Sequence, residues 1–305
     1  MSYRKEHQLT AEYKKFLASL DEHNHAKGLS KDELIKLFRK IVNGGMSGLC
    51  FSMYEDLQKP GDNITEAQVM RRMKILQPHI KWIRSFSCIE GNEFVPKVAK
   101  ELGIKTLVGA WIGDDKEKNR QEIDALIKMA NNGEVDIAAV GNEVLYRNDI
   151  PLAELKEHIK EVRAAIPADI PVSYVDAYYE FAVHPDLTDL CDVILTNCYP
   201  FWESCHIDYS LAHMQQMYGQ VLSVAKGKKV IISETGWPSK GESLGAAQPS
   251  DENFLKYFIN TQLWCQKANI DCFYFSSFDE SWKIGDEGDV GAYWGLWDKH
   301  EKLKY

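Results

Sequence analysis

The chain has 305 residues, 45% of them hydrophobic and 27% charged, with a net charge of −9 at pH 7. That composition supplies a sizeable core and argues against disorder. An acidic balance with no basic stripe excludes the electrostatic footprint of nucleic-acid binding and offers no attraction to an anionic membrane.

Residues 1–43 read as two or three short helices, an N-terminal helical extension capping the bottom of the fold built by residues 44–305. They lack the apolar core of a signal peptide, and no stretch of the chain approaches a membrane span. The expected compartment is the cytoplasm, or the periplasm or exterior if a leader has been removed. Seven cysteines, an odd number with no C-x-x-C pair, read as small buried hydrophobes in a reducing environment. His23 and His25 read as solvated. None of the nine histidines stands in an H-E-x-x-H or other ligand spacing, so no metal and no cofactor is expected.

From Gly44 onward, short apolar runs alternate with amphipathic stretches in units of about thirty residues. The runs are "MSGLCF" (46–51), "KWIRSF" (81–86), "IKTLVGAWI" (104–112), "VDIAAV" (135–140), "IPVSYVD" (170–176), "CDVILTNCY" (191–199), "KKVIIS" (228–233) and "DCFYFSSF" (271–278). They are β-branched, aromatic and continuously apolar, as strands buried on both faces must be. Between them, "TEAQVMRRMKILQ" opens on a capping box of Thr65 and Gln68, and "DKEKNRQEIDALIKMANNG" stops on Asn-Gly. "PLAELKEHIKEVRAAIP" places Pro151 in a first helical turn, and "SDENFLKYFINTQLWCQKA" precedes the last strand. Eight such units predict an α/β fold, a (β/α)8 TIM barrel over residues 44–305. An open doubly wound sheet is the main competitor, but the first unit has no G-x-G-x-x-G.

In a barrel the loops after the strands build the site. The fourth run delivers Asn142 and Glu143, and the seventh delivers Glu234; strands four and seven face each other across an eight-membered ring. The second contributes Arg84, the first Tyr54, and the fifth ends on Asp176. The sixth ends in Asn197, Tyr199, Phe201 and Trp202, with Trp237 just beyond the seventh. The eighth brings Asp279, Glu280, Trp282 and Lys283, with Asp279 a candidate to cap a helix or brace Lys283. Tyr178 and Tyr179 stand open between core and substrate platform. Paired carboxylates ringed by aromatics suit glycoside hydrolysis, in which one acid is protonated to expel the leaving oxygen and the other is ionised.

"MSGLCFS", "IAAVGNEVL", "LTNCYPFWES", "VIISETGWPS", "FSSFDESWK" and the terminal "WGLWDKHEKLKY" together resemble glycoside hydrolase family 17, the β-1,3-glucanase family, over about residues 46–305. The resemblance implies a retaining enzyme of β-1,3-glucan or its oligosaccharides, with Glu143 as acid/base and Glu234 as nucleophile. It implies that Asn142 binds the 2-hydroxyl of the attacked sugar and that Tyr199, Glu280 and Lys283 line the cleft. Phe51 and Ser52 stand where the plant-type first strand has tyrosine and glycine, and "IRSFSCIEGN" replaces the commoner arginine-x-tyrosine-aspartate pattern. These departures fall on substrate-binding loops and bear on subsite number and on endo or exo action. A glucanosyltransferase using the same pair, and a glucan-binding module without turnover, are the other two readings. Oligomeric state is not encoded in any feature of the sequence.

Overall fold

The computed structural model of the chain describes residues 24–305. The helices expected over residues 1–23, and His23 with them, lie outside the described residues; His25 is exposed. The first described helix, α1 (Lys31–Gly44), starts at Ser30 with a reciprocal cap: Ser30 Oγ accepts from the Glu33 amide, and Glu33 Oε2 accepts from the Ser30 amide at 2.8 Å. Leu34, Phe38 and Val42 recur at helical spacing and are all buried. Phe38 sets its ring against Phe254, Phe258 and Tyr305.

Eight strands follow: β1 (Met46–Cys50), β2 (Ile80–Ser85), β3 (Lys105–Ala110), β4 (Ile137–Asn142), β5 (Val172–Ala177), β6 (Ile194–Asn197), β7 (Val230–Thr235) and β8 (Cys272–Tyr274). They pair in parallel in sequence order and close with β8 against β1, a (β/α)8 barrel. Every residue of β4 and of β7 is buried, which is why both read as unbroken apolar runs. The outer layer holds α2 (Glu66–Leu76), α3 (Phe94–Glu101), α4 (Lys116–Asn131), α5 (Leu152–Ala165), α6 (Ser210–Val224) and α7 (Asp251–Ala268).

Helix starts follow the side-chain signals, with two differences. Thr65 Oγ1 accepts from the Gln68 amide at 3.2 Å, but the return half of the expected box does not form. The Gln68 side chain instead donates to the Met53 carbonyl at 2.8 Å, which pins the loop after β1. Pro151 is the N-cap of α5 and stands before its first turn.

Among the described residues no long helix follows β8; the chain makes short helical turns at Ser281–Lys283, Ile284–Glu287 and Gly288–Tyr293. The flank such a helix would cover is filled by α1, which packs on α7 and on the Gln77–His79 turn ahead of β2. His79 Nδ1 lies 3.2 Å from the Val42 carbonyl at that seam. Residues 31–44 therefore sit on the side of the barrel and not across its bottom. All seven cysteines are unpaired and six are buried, Cys205 being partly exposed. Among the described residues no helix is long and apolar enough to cross a membrane.

Candidate active site

The C-terminal ends of the strands open on a cleft of about 1140 Å³. At the end of β4 comes Glu143, whose backbone is left-handed with φ 53°, and a helical turn (Val144–Arg147) starts from it. A short turn has free amides at its start. They are met from the neighbouring strand, since the Asp176 carboxylate accepts from the amides of Leu145 (3.3 Å) and Tyr146 (3.4 Å). Asp176 also accepts from its neighbour's amide, Ala177, at 2.7 Å and from the Tyr174 hydroxyl. This fully buried carboxylate braces the backbone that presents Glu143.

β7, three strands round the barrel from β4, brings Glu234 to the same mouth. One amide nitrogen joins the two acids: Asn197 Nδ2 donates to Glu143 Oε1 at 2.8 Å and to Glu234 Oε1 at 2.9 Å. Those two oxygens can be no farther apart than the two bonds laid end to end. From below, Arg84 Nη1 lies 2.6 Å from Glu234 Oε1, while its Nη2 donates to Asn142 Oδ1 at 2.7 Å. Tyr199 donates its hydroxyl to Glu234 Oε2 at 2.9 Å. Burial, and then the charge of Glu234, push the Glu143 carboxyl up to about 7, against the pull of the Asn197 hydrogen bond. The site thus holds one carboxyl that keeps its proton near neutrality beside one held by a cation and two hydrogen-bond donors.

Glu280, Trp282, Lys283 and Tyr54 form the wall beside β8 and β1. Lys283 Nζ lies 3.3 Å from Glu280 Oε2, 3.5 Å from Glu287 Oε1 and 4.2 Å from the centre of the Phe275 ring. Burial opposes the Lys283 charge, but Glu280, Glu287 and Glu234 outweigh it and hold the ammonium above its ordinary range. Tyr54 meets Trp282 edge to face at 5.7 Å. Trp202, Tyr178 and Tyr179 line the cleft on the β5–β6 side, the last two edge to face at 5.2 Å.

Four expected contact residues do not line the cleft: Arg84, buried beneath it against Glu234, and three others. Asp176 faces the helix layer with Tyr174 and braces the Glu143 turn from there. Phe201 and Trp237 are fully buried, with rings 5.3 Å apart, and Trp237 donates its indole N–H to the Gln248 carbonyl at 3.0 Å. They hold up the floor under Trp202 and Trp294. Asp279 pairs with Lys304 at 2.8 Å, not with Lys283, and ties down the C-terminal tail. Three cleft residues are given no role by the sequence. Asn197 is visible at a strand end; Glu122 lies inside a helix, and Trp111 inside an apolar run.

The BtgE/BtgC glycoside hydrolase domain model matches residues 48–295. The glucan 1,3-β-glucosidase BGL2 of Candida albicans is 27% identical over 258 residues, 76% of this chain and 83% of that protein. A glucan 1,3-β-glucosidase of Schizosaccharomyces pombe is 27% identical over 252 residues, 76% of this chain and 78% of the relative. Among solved structures, the glycoside hydrolase family 17 β-1,3-glucanosyltransferase of Rhizomucor miehei superposes with a TM-score of 0.77 at 29% identity, covering 86% of this chain and 96% of that one. An active-site mutant of that β-1,3-glucanosyltransferase has been solved in complex with laminaritriose. An endo-laminarinase from Formosa shares the fold, with a TM-score of 0.70 at 21% identity. With a matching domain that runs through all eight strands and ends past the mouth carrying both glutamates, the chain belongs to the BtgE/BtgC glycoside hydrolase domain family, within glycoside hydrolase family 17.

Proposed function

We propose that the protein cleaves β-1,3-glucan or its oligosaccharides by double displacement, with Glu143 as acid/base and Glu234 as nucleophile. The observation that carries the reading is the single Asn197 amide bonded to both carboxylates. Two carboxyls close enough to share one amide nitrogen suit the about 5–5.5 Å carboxyl separation of retaining enzymes better than the about 6.5–9.5 Å that seats an inverting water. Glu143 gives its proton to the glycosidic oxygen as a Glu234 oxygen bonds to the anomeric carbon and the leaving sugar departs. Glu143, now a carboxylate, takes a proton from water, whose oxygen displaces Glu234 and restores the original configuration. Arg84 and Tyr199 hold the nucleophile in place, and Asn142, bonded to the same arginine, is offered to the 2-hydroxyl. The substrate class is supported by the glucan 1,3-β-glucosidase relatives. Six buried, unpaired thiols support the expected reducing compartment.

A second reading is favoured by the likeness to a glucanosyltransferase: a second sugar hydroxyl, not water, displaces Glu234. Laminari-oligosaccharides incubated with the enzyme and followed by proton NMR and product sizing separate these readings. A β-anomer as first product supports double displacement, and an α-anomer ends it. Products longer than the substrate at high oligosaccharide concentration indicate transfer. Glu234→Ala should abolish turnover, with partial return in azide; wild-type turnover in that variant would remove Glu234 from the mechanism.

A further inference from the structure

The cleft leaves the glutamate pair in two directions. One arm runs toward the loops after β5 and β6, the other toward those after β2 and β3. The second arm carries an exposed tryptophan. Trp111, just past β3, is 41% exposed, like Trp202 on the other arm at 40%, whereas Trp237 and Trp294 under the same mouth are 1% exposed or less. Leaving that much aromatic surface in water is unfavourable by area alone, so an open ring in a cleft points to something that covers it.

The ring is also packed against a cation. The Arg147 guanidinium stands 4.4 Å from its centre. Arg147 has no freedom there: it donates to the Asn142 carbonyl at 2.7 Å, to the Ile112 carbonyl at 3.3 Å and to Asp149 Oδ2 at 2.8 Å. The backbone of Trp111 is fixed as well, its amide donating to Glu122 Oε2 at 3.1 Å. One face of the indole is therefore occupied by a locked cation, and its exposed surface lies in the cleft with Asn92, Asp114 and Lys118 on the same arm. A flat apolar face rimmed by hydrogen-bonding groups suits a pyranose ring, whose axial C–H groups stack while its edge hydroxyls find polar partners.

We propose that Trp111 is the stacking platform of a glucosyl subsite on the β2–β3 arm, pre-organised by Arg147. This rests on the β-1,3-glucan reading above. The subsite sets the length of chain the enzyme prefers. Arg147 adds a link to the chemistry, because the same guanidinium holds the carbonyl of Asn142, the residue before Glu143. A sugar seated on Trp111 therefore steadies the turn that carries the acid, and its binding shows in kcat as well as in KM.

The test is the ratio of kcat/KM for laminarihexaose to that for laminaritriose, measured on one preparation so that the fraction of folded enzyme cancels. Trp111→Ala should lower that ratio about tenfold, as loss of a buried aromatic anchor does. Trp111→Phe, which keeps a flat face, should hold most of it. A Trp111→Ala enzyme that cleaves both oligosaccharides with the wild-type ratio overturns the subsite and leaves the substrate reading intact. A wild-type enzyme inactive on every β-1,3-linked oligosaccharide overturns both.

Discussion

Arg84 and Glu234 form an ion pair of 2.6 Å in which both side chains are almost wholly buried. Removing the cation leaves a buried charge uncompensated and takes the donor away from Asn142 Oδ1. Breaking one side of such a pair costs about 3–5 kcal/mol. Arg84→Met should therefore lower the melting temperature clearly and reduce kcat/KM on laminarin about a hundredfold or more. Arg84→Lys should recover part of the stability and less of the activity, because one ammonium cannot bond Glu234 and Asn142 as a guanidinium fork does. Thermal unfolding and initial rates on the two variants check this; wild-type stability in Arg84→Met would show that the pair does not hold the site together.

Glu143 titrates at about 7 in the folded chain, up from an ordinary 4.5. In the proposed mechanism it donates the proton and must hold it before the bond breaks, so kcat/KM should fall as pH rises through about 7. The stability consequence has the same direction. Below its ordinary value the carboxyl is protonated whether the chain is folded or not, and costs nothing. Between there and about 7 the unfolded chain has released the proton while the folded chain retains it, so stability declines as pH rises. Glu143→Gln removes that decline. Its melting temperature should exceed that of the wild type at pH 8 and match it closely at pH 4, although it turns over little substrate.

The eight strands, and the placing of Glu143 and Glu234 at the cleft, are legible because the barrel buries its strands on both faces and opens its cleft at their ends. What could not be read is the phase of each strand. In β5, Ala177 lines the cleft while Asp176 turns with Tyr174 toward the helices. Alternation fixes that the two must point oppositely, but a run that is apolar on both faces gives no sign of which side is inward. Phe201 and Trp237 lie beyond the strands, in loops that fold back under the rim, where no periodicity tells a buried aromatic from one that faces the cleft. Glu122 was hidden for another reason: in α4 its carboxylate sits in a charged helix and differs from its neighbours only through the loops it meets in space.

Those loop contacts make Glu122 a second target. It is buried, accepts from Ser87 Oγ at 2.5 Å and from the amides of Cys88 at 2.7 Å and Trp111 at 3.1 Å, and so ties the loop after β2 to the loop after β3. Burial raises its carboxyl to about 7, with those three hydrogen bonds pulling the other way. Glu122→Ala removes both acceptor oxygens and leaves the buried amides of Cys88 and Trp111 unpaired, at about 1–3 kcal/mol each. The expected result is a lower melting temperature and a KM for long oligosaccharides that rises more than kcat falls. A fall in kcat alone would place Glu122 with the acid and not with the loops.

Asp176 and Asn197 act on Glu143 from opposite sides, and their effects on its proton have opposite signs. The Asp176 charge raises the Glu143 pKa, whereas the hydrogen bond from Asn197 lowers it. Asp176→Asn removes the charge while keeping one oxygen for the amides of Leu145 and Tyr146, so the basic limb of kcat/KM should move to lower pH. Asn197→Ala removes the shared donor, leaving Glu143 to face Glu234 without mediation, so the limb should move to higher pH while kcat falls about a hundredfold. A purely structural loosening of the mouth would lower rates in both variants without driving the two limbs apart. Opposite displacements from substitutions on either side of one carboxyl identify the titrating group as Glu143; two limbs moving together, or neither moving, would assign the limb to another group in the cleft.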